Sequence, residues 1–167
     1  PVANAEQRVE MLSLAIAGHD ELAMDTREIE RQGLSYSILT LAEVRQEIGP
    51  MMPLIWCMGL DAFAGLQQCH RWQELLDYGH LLVRTRPETI WPQDPELLTW
   101  YTAHKVDDAK HLLASPLGQV AHLRLGQYPV SATQIRQQLR LGYQPSATEL
   151  APAVAKYIAS QSLYGIN

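Results

Sequence analysis

Three features of the sequence predict an α/β layer fold built on a parallel sheet. Short, largely apolar runs of strand length, Met51 to Met58, His80 to Arg84 and Val120 to Leu125, alternate with segments of helical periodicity. The runs lack the every-second-residue polarity of a strand with one wet face, the pattern of strands covered on both faces. Glycine and proline punctuate their ends, with Gly49-Pro50 before the first run and Gly59 after it. With 167 residues and 47% hydrophobic content, the chain suits one domain, 1–167, with a substantial core.

Each element has its own signal. Asn4 and Gln7 have the spacing of a capping box, and Val9, Leu12 and Ile16 then recur on one helical face up to a stop at Gly18. Leu22 to Ile29 is expected to hold a short strand. A second helix starts at Ser35 or Tyr36, lines one face with Ile38, Leu41, Val44 and Ile48, and ends at Gly49-Pro50. Pro53 offers no N–H to a ladder, so the first strand proper starts near Leu54. Trp72 to Tyr78 reads as helix, Arg86 to Gln93 as a proline-broken loop, and Glu96 to Ala114 as helical in parts. Ser131 and Gln134 repeat the capping-box spacing at the head of a helix that runs to about Leu141 and stops at Gly142. A last helix starts near Ser146 or Thr148, with Leu150, Val154 and Ile158 inside. There is no internal repeat or low-complexity tract.

Composition removes several function classes. A formal charge of −5 argues against a general nucleic-acid or anionic-membrane surface, though a few local arginines suffice for a small anion. The apolar run Met51 to Leu60 is too short to span a bilayer, and Pro1-Val2-Ala3-Asn4 carries no charged leader. Cys57 and Cys69 form no CxxC pattern, which fits a reducing cytoplasm. The six histidines are scattered without HExxH, so no metal held by protein side chains is expected.

Parallel sheets bind ligands outside the carboxyl ends of their strands. That rule selects Gly59-Leu60-Asp61, Arg84-Thr85-Arg86-Pro87 and the helix start at Ser131. Gly59 permits close approach of a ligand or simply makes a turn. Asp61 can accept hydrogen bonds from ribose hydroxyls or cap a helix starting at Ala62, and the two roles are compatible. Free N–H groups at the Ser131 helix start attract an anion, and Arg136 in the first turns adds a planar donor fork. An ordinary capped surface helix has the same spacing.

Taken in order, the segments resemble the bacterial nicotinate-nucleotide adenylyltransferases over nearly the whole chain. The matching segments are Asp25-Thr26-Arg27-Glu28-Ile29-Glu30-Arg31, Ser35-Tyr36-Ser37, Thr40-Leu41, Met58-Gly59-Leu60-Asp61-Ala62-Phe63, His70-Arg71-Trp72 and Arg86-Pro87. Val130-Ser131-Ala132-Thr133-Gln134-Ile135-Arg136 is similar to the family's (I/V)S(S/A)TxIR motif, and Tyr157-Ile158 with Leu163-Tyr164 to its C-terminal helix. The resemblance implies a Rossmann-like nucleotidyltransferase fold with a parallel sheet flanked by helices. It implies adenylyl transfer from ATP to nicotinate mononucleotide, releasing pyrophosphate, with Mg²⁺ held largely by the phosphates. Carried over residue by residue, Gly59 and Asp61 meet the ATP ribose side, and Ser131, Thr133 and Arg136 hold the ATP phosphates. Tyr36, Ser37, Cys69 and Arg86 border the mononucleotide, with Trp72 nearby but serving the core.

The sequence departs from the family in several places. It contains neither GGTFDPxHxGH nor PPH(K/R). The resemblance therefore implies a chain without the first βα unit, with no catalytic histidine of its own and only Arg136 to assist phosphate stabilisation, and with little activity alone. Ser37 stands where threonine is usual, and Leu39 where a polar residue is common. Cys69 stands where the family has a tryptophan that stacks on the pyridine ring, a contact of roughly 0.5–1.5 kcal/mol that a thiol does not offer. Two further readings stay open: a non-catalytic nucleotide-binding module, and an adenylyltransferase for another phosphorylated acceptor.

Overall fold

The computed structural model describes residues 3–85, 90–124 and 130–165. The chain divides into two compact units, the first made of residues 1–30 and 128–167 and the second of residues 31–127.

The second unit is the α/β layer. Its helices are α3 (Ser37–Ile48), α4 (Leu60–Ala64) and α5 (Pro95–His104), and its strands are β1 (Ile55–Gly59), β2 (His80–Thr85), β3 (Lys105–Val106) and β4 (Val120–Arg124). The strands lie in the order β1-β2-β4-β3 with every pair parallel, as the apolar runs predict. Val83 pairs with Met58 on one side and His122 on the other, so β2 is interior. Leu81, Val83, Phe63, Leu66, Leu97 and Val120 form the heart of the core, each 1% exposed or less. By contrast β1 pairs only with β2 among the described residues, and its Cys57 is exposed. The expected burial of that run on both faces is therefore corrected: among the described residues Met58 is buried on one face of β1, while Cys57 on the other face is left uncovered.

The amino ends of the strands are fastened together by one side chain. Arg45 on α3 donates to the carbonyl oxygens of Tyr78 (2.8 Å), Gly49 (2.9 Å), Met52 (2.6 Å) and Pro116 (2.7 Å). Met52, Tyr78 and Pro116 lie on the approaches to β1, β2 and β4. Beside them His80, fully buried, accepts at Nδ1 from the Gln119 N–H (3.1 Å), which leaves Nε2–H to donate to the Ser115 carbonyl (2.8 Å). Gly79 has no room for a side chain, because a Cβ there would lie 2.9 Å from the Leu54 carbonyl oxygen.

The first unit is helical. It contains α1 (Ala5–Ile16), α2 (Arg27–Glu30), α6 (Ala132–Arg140), α7 (Pro152–Ser160) and a closing 3-10 turn, Leu163–Gly165. Leu139, Val154, Ile158 and Leu163 with Ala3 make its core. The Asn4–Gln7 capping box forms in both directions, at 3.0 and 2.8 Å. The face of α1 differs from the expected one. Met11 and Leu14 pack on the core, while Leu12 is 55% exposed.

Several boundaries move for identifiable reasons. Leu22 to Ile29 holds no strand, because the Asp25 carboxylate accepts from the backbone and side chain of Arg27 and turns the chain into α2. Trp72–Asp77 is a 3-10 helix entered through Arg71 in the left-handed region, φ 53°. α5 begins one residue early because Asp94 caps it, accepting from Glu96 and Leu97 N–H at 3.0 Å. Its expected continuation breaks into β3 and a 3-10 turn, Ala109–Leu113. The last helix starts at Pro152 and not near Ser146, since the residue before a proline is pushed out of the helical region and Ala151 is extended, ψ 133°. Ser146 and Glu149 instead close a single capped turn.

Replacing Arg45 by methionine keeps the apolar stem and strips the donors from partly buried carbonyls. The expected loss is about 3 kcal/mol in urea unfolding, and Arg45→Lys loses most of it because an ammonium cannot reproduce the fork. A loss below about 0.5 kcal/mol in Arg45→Met would refute this role for Arg45.

Candidate functional site

At the carboxyl end of β1, the backbone enters α4 directly. Gly59 is the N-cap with ordinary extended angles, φ −76° and ψ 161°, and a Cβ built on it meets no atom of the described residues within 4 Å. Neither backbone strain nor crowding by the described residues demands a glycine here. What the missing side chain leaves is open space beside the strand end. Asp61 is not the cap that was expected. The helix starts at Leu60, two residues earlier than a cap at Asp61 allows, so the Asp61 carboxylate lies in the first turn, exposed. A negative charge there is favoured by the helix dipole.

The segment before α3 is held by Arg31, which donates to Ser35, to Thr40 (3.3 Å) and to Glu43 (2.7 Å). This fixes the approach to Tyr36, the N-cap of α3, and to Ser37, its first residue. Tyr36 and Cys69 both pack against the core of this unit. Tyr36 also stacks on the exposed ring of His70, centroids 4.4 Å apart at 29°. An aromatic face is thus present one residue beyond Cys69. Trp72 packs on Trp100 at 5.1 Å, in keeping with its expected core role.

At the carboxyl end of β2, Arg84 is exposed and Thr85 buried. Arg86, expected to border the mononucleotide, lies outside the described residues. Thr85 shares a 2.7 Å hydrogen bond with His122 Nε2 of β4, and Trp91 lies against the His122 ring at 4.9 Å. Phe63 and Tyr101 continue this aromatic cover over the strand ends. Burial, and secondarily the Arg124 charge, hold the His122 imidazole below the usual histidine range. Burial also raises the Tyr101 phenol. None of Thr85, Trp91 and His122 was singled out as a group from sequence. Only the register that pairs β2 with β4 brings them together.

In the other unit, Ser131, Thr133 and Arg136 lie on the first turns of α6. The Ser131–Gln134 capping box does not form: Ser131 is the N-cap by backbone angles, but its side chain makes no capping bond. Ser131 and Gln134 instead line an open groove of about 570 Å³, with Gln138, Tyr143 and Glu149. Arg136 is exposed on α6, its guanidinium carbon 5.6 Å from the centre of the Tyr164 ring. Among the described residues, no group of three or more His, Cys, Asp or Glu is placed to hold a metal. No described helix is long and apolar enough to cross a membrane.

Residues 1–138 match the cytidylyltransferase-like family. A Serratia proteamaculans protein named a probable nicotinate-nucleotide adenylyltransferase is 43% identical over 166 residues, covering 98% of this chain and 74% of the relative. Proteins of the same name from Hahella chejuensis and Cellvibrio japonicus are 36% and 39% identical, covering 75% and 77% of their lengths and 99% and 98% of this chain. The fold is shared with a Plasmodium falciparum nicotinic acid mononucleotide adenylyltransferase solved with APC (TM-score 0.63, 13% identity, 99% of this chain and 78% of that one). The same enzyme solved with NaAD gives a TM-score of 0.65 at 12% identity, over 99% of this chain and 76% of that one.

The depressed His122 imidazole makes a pH prediction. The unfolded chain takes up the proton near pH 6.5 while the folded one resists, so stability falls as pH drops from about 7 toward 5. Thermal melts of His122→Gln should show a flatter dependence across that window than the parent. Parallel melting curves for the two proteins would contradict the assignment.

Proposed function

We propose that this chain, which belongs to the nicotinate-nucleotide adenylyltransferase family, divides the holding of its two substrates among the residues described. The reaction transfers the adenylyl group of ATP to nicotinate mononucleotide, giving nicotinate adenine dinucleotide and pyrophosphate, a step of NAD biosynthesis. An oxygen of the mononucleotide phosphate attacks the α-phosphorus in line. The bond to the bridging oxygen breaks, and pyrophosphate leaves with its electron pair. No covalent enzyme intermediate is required, so positioning and charge stabilisation carry the catalysis.

Gly59 and Asp61 take the ribose side of ATP. The observation that carries this is the open space at Gly59, where nothing in the described protein requires a glycine. Ser131, Thr133 and Arg136 serve the ATP phosphates, and the missing Ser131 cap bond agrees with that role by leaving N–H groups of α6 unclaimed by the Ser131 side chain. Tyr36, Ser37, Cys69 and Arg86 border the mononucleotide. The 167 residues contain no HxGH sequence, so the holding of substrates and not the activation of the phosphoryl group is assigned to them. Among the described residues no cluster of His, Cys, Asp or Glu is placed to hold a resident metal, and Mg²⁺ enters as the companion of ATP. The exposed Cys57 and the free Cys69 fit a reducing cytoplasm.

Calorimetry with the whole chain tests this division. Gly59→Ala should weaken ATP about tenfold through a clash with the ligand, while leaving the melting temperature unchanged or slightly raised. Asp61→Ala should lose hydrogen bonds worth about 1–2 kcal/mol in ATP binding. Unchanged ATP affinity in both variants would remove ATP from this end of β1. With each ligand titrated alone, binding of ATP but not of nicotinate mononucleotide would favour another phosphorylated acceptor.

A further inference from the structure

The last described turn is bent in an unusual way. Ser162 and Tyr164 both adopt left-handed backbone angles, φ 47° and 63°, and Gly165 follows at 84°. Side chains with a Cβ disfavour that region, and two such residues this close together need a compensating contact. Between them Leu163 is 4% exposed and belongs to the core with Leu139, Val154 and Ile158. Leu163 anchors the tail, and the bend at Tyr164 sets its ring beneath Arg136, 5.6 Å from the guanidinium carbon.

No described side chain forms an ion pair or hydrogen bond with the Arg136 guanidinium. That choice of neighbour matters chemically. A carboxylate would orient the arginine by cancelling its charge and occupying its donors. A ring face attracts the cation through its quadrupole and leaves the N–H edges free. We propose that Tyr164 is a positioning residue for Arg136, restraining the guanidinium while keeping its full charge and donors available to a polyphosphate. This rests on Arg136 serving the ATP phosphates, as proposed for α6.

Isothermal titration of the full chain with ATP and with adenosine tests it. Tyr164→Leu fills a similar volume without a π face, and should weaken ATP about threefold with adenosine unchanged. Tyr164→Phe keeps the face and should bind ATP like the parent. Arg136→Ala should weaken ATP by tenfold or more. If Arg136→Ala weakens ATP but Tyr164→Leu does not, or if Tyr164→Phe is as impaired as Tyr164→Leu, the positioning role is wrong. If Arg136→Ala binds ATP normally, the phosphate role of Arg136 falls, and the positioning role with it. Should Tyr164→Leu not fold, the Arg136 Nε–H resonance of the parent decides. A ring-current upfield shift supports the contact, and a random-coil position overturns it.

Discussion

Everything in the α/β unit depends on how the entrances to its strands are tied. A parallel sheet must bring each strand in at the same end through a separate connection, and those connections expose backbone carbonyls near the core. Arg45 meets this need with one guanidinium shared among four of them. Neighbouring backbone bonds complete the tie, from His80 N–H to the Leu54 carbonyl (2.7 Å) and from Leu81 N–H to that of Gln119 (2.9 Å). His80 stays buried because each ring nitrogen has a complementary backbone partner. With one end closed in this way, the carboxyl ends of the strands remain for the side chains proposed to hold substrate.

That division of labour shapes the chemistry. At the carboxyl ends the packing is aromatic, with Phe63, Trp91 and Tyr101 over Thr85 and His122. An exposed glycine and an exposed carboxylate stand beside it at Gly59 and Asp61. The helical unit contributes a different resource. A chain with net charge −5 still holds at Arg136 a cation unneutralised by any described side chain. Local placement, not global charge, decides whether a small anion is attracted.

Much of this was legible in the sequence, and the failures have causes. The β2 and β4 runs are legible because interior parallel strands are apolar over several consecutive residues, and the run holding the edge strand β1 is as apolar. β3 gave no signal because two residues, Lys105 and Val106, cannot show a period. Asn4–Gln7 and Ser131–Gln134 have identical spacing, yet only the first closes into a box. Spacing permits a cap, and the surroundings decide where the side chains go. Gly59 and Asp61 were found by a rule about strand ends, whereas the Thr85–His122 pair spans 37 residues and exists only through register. The Arg136–Tyr164 contact was equally invisible, since it depends on two left-handed residues in a tail that otherwise reads as the end of a helix.

The central claim is that the strand carboxyl ends and the start of α6 receive ATP, while the Arg45 end of the sheet is structural. Amide chemical-shift mapping of the whole chain during an ATP titration tests it most directly. The account predicts that the largest saturable shifts fall on Gly59, Asp61, Ser131, Thr133 and Arg136, with Gly49, Tyr78 and Gly79 unmoved. Shifts centred on that second group, or none at saturating ATP, would contradict it.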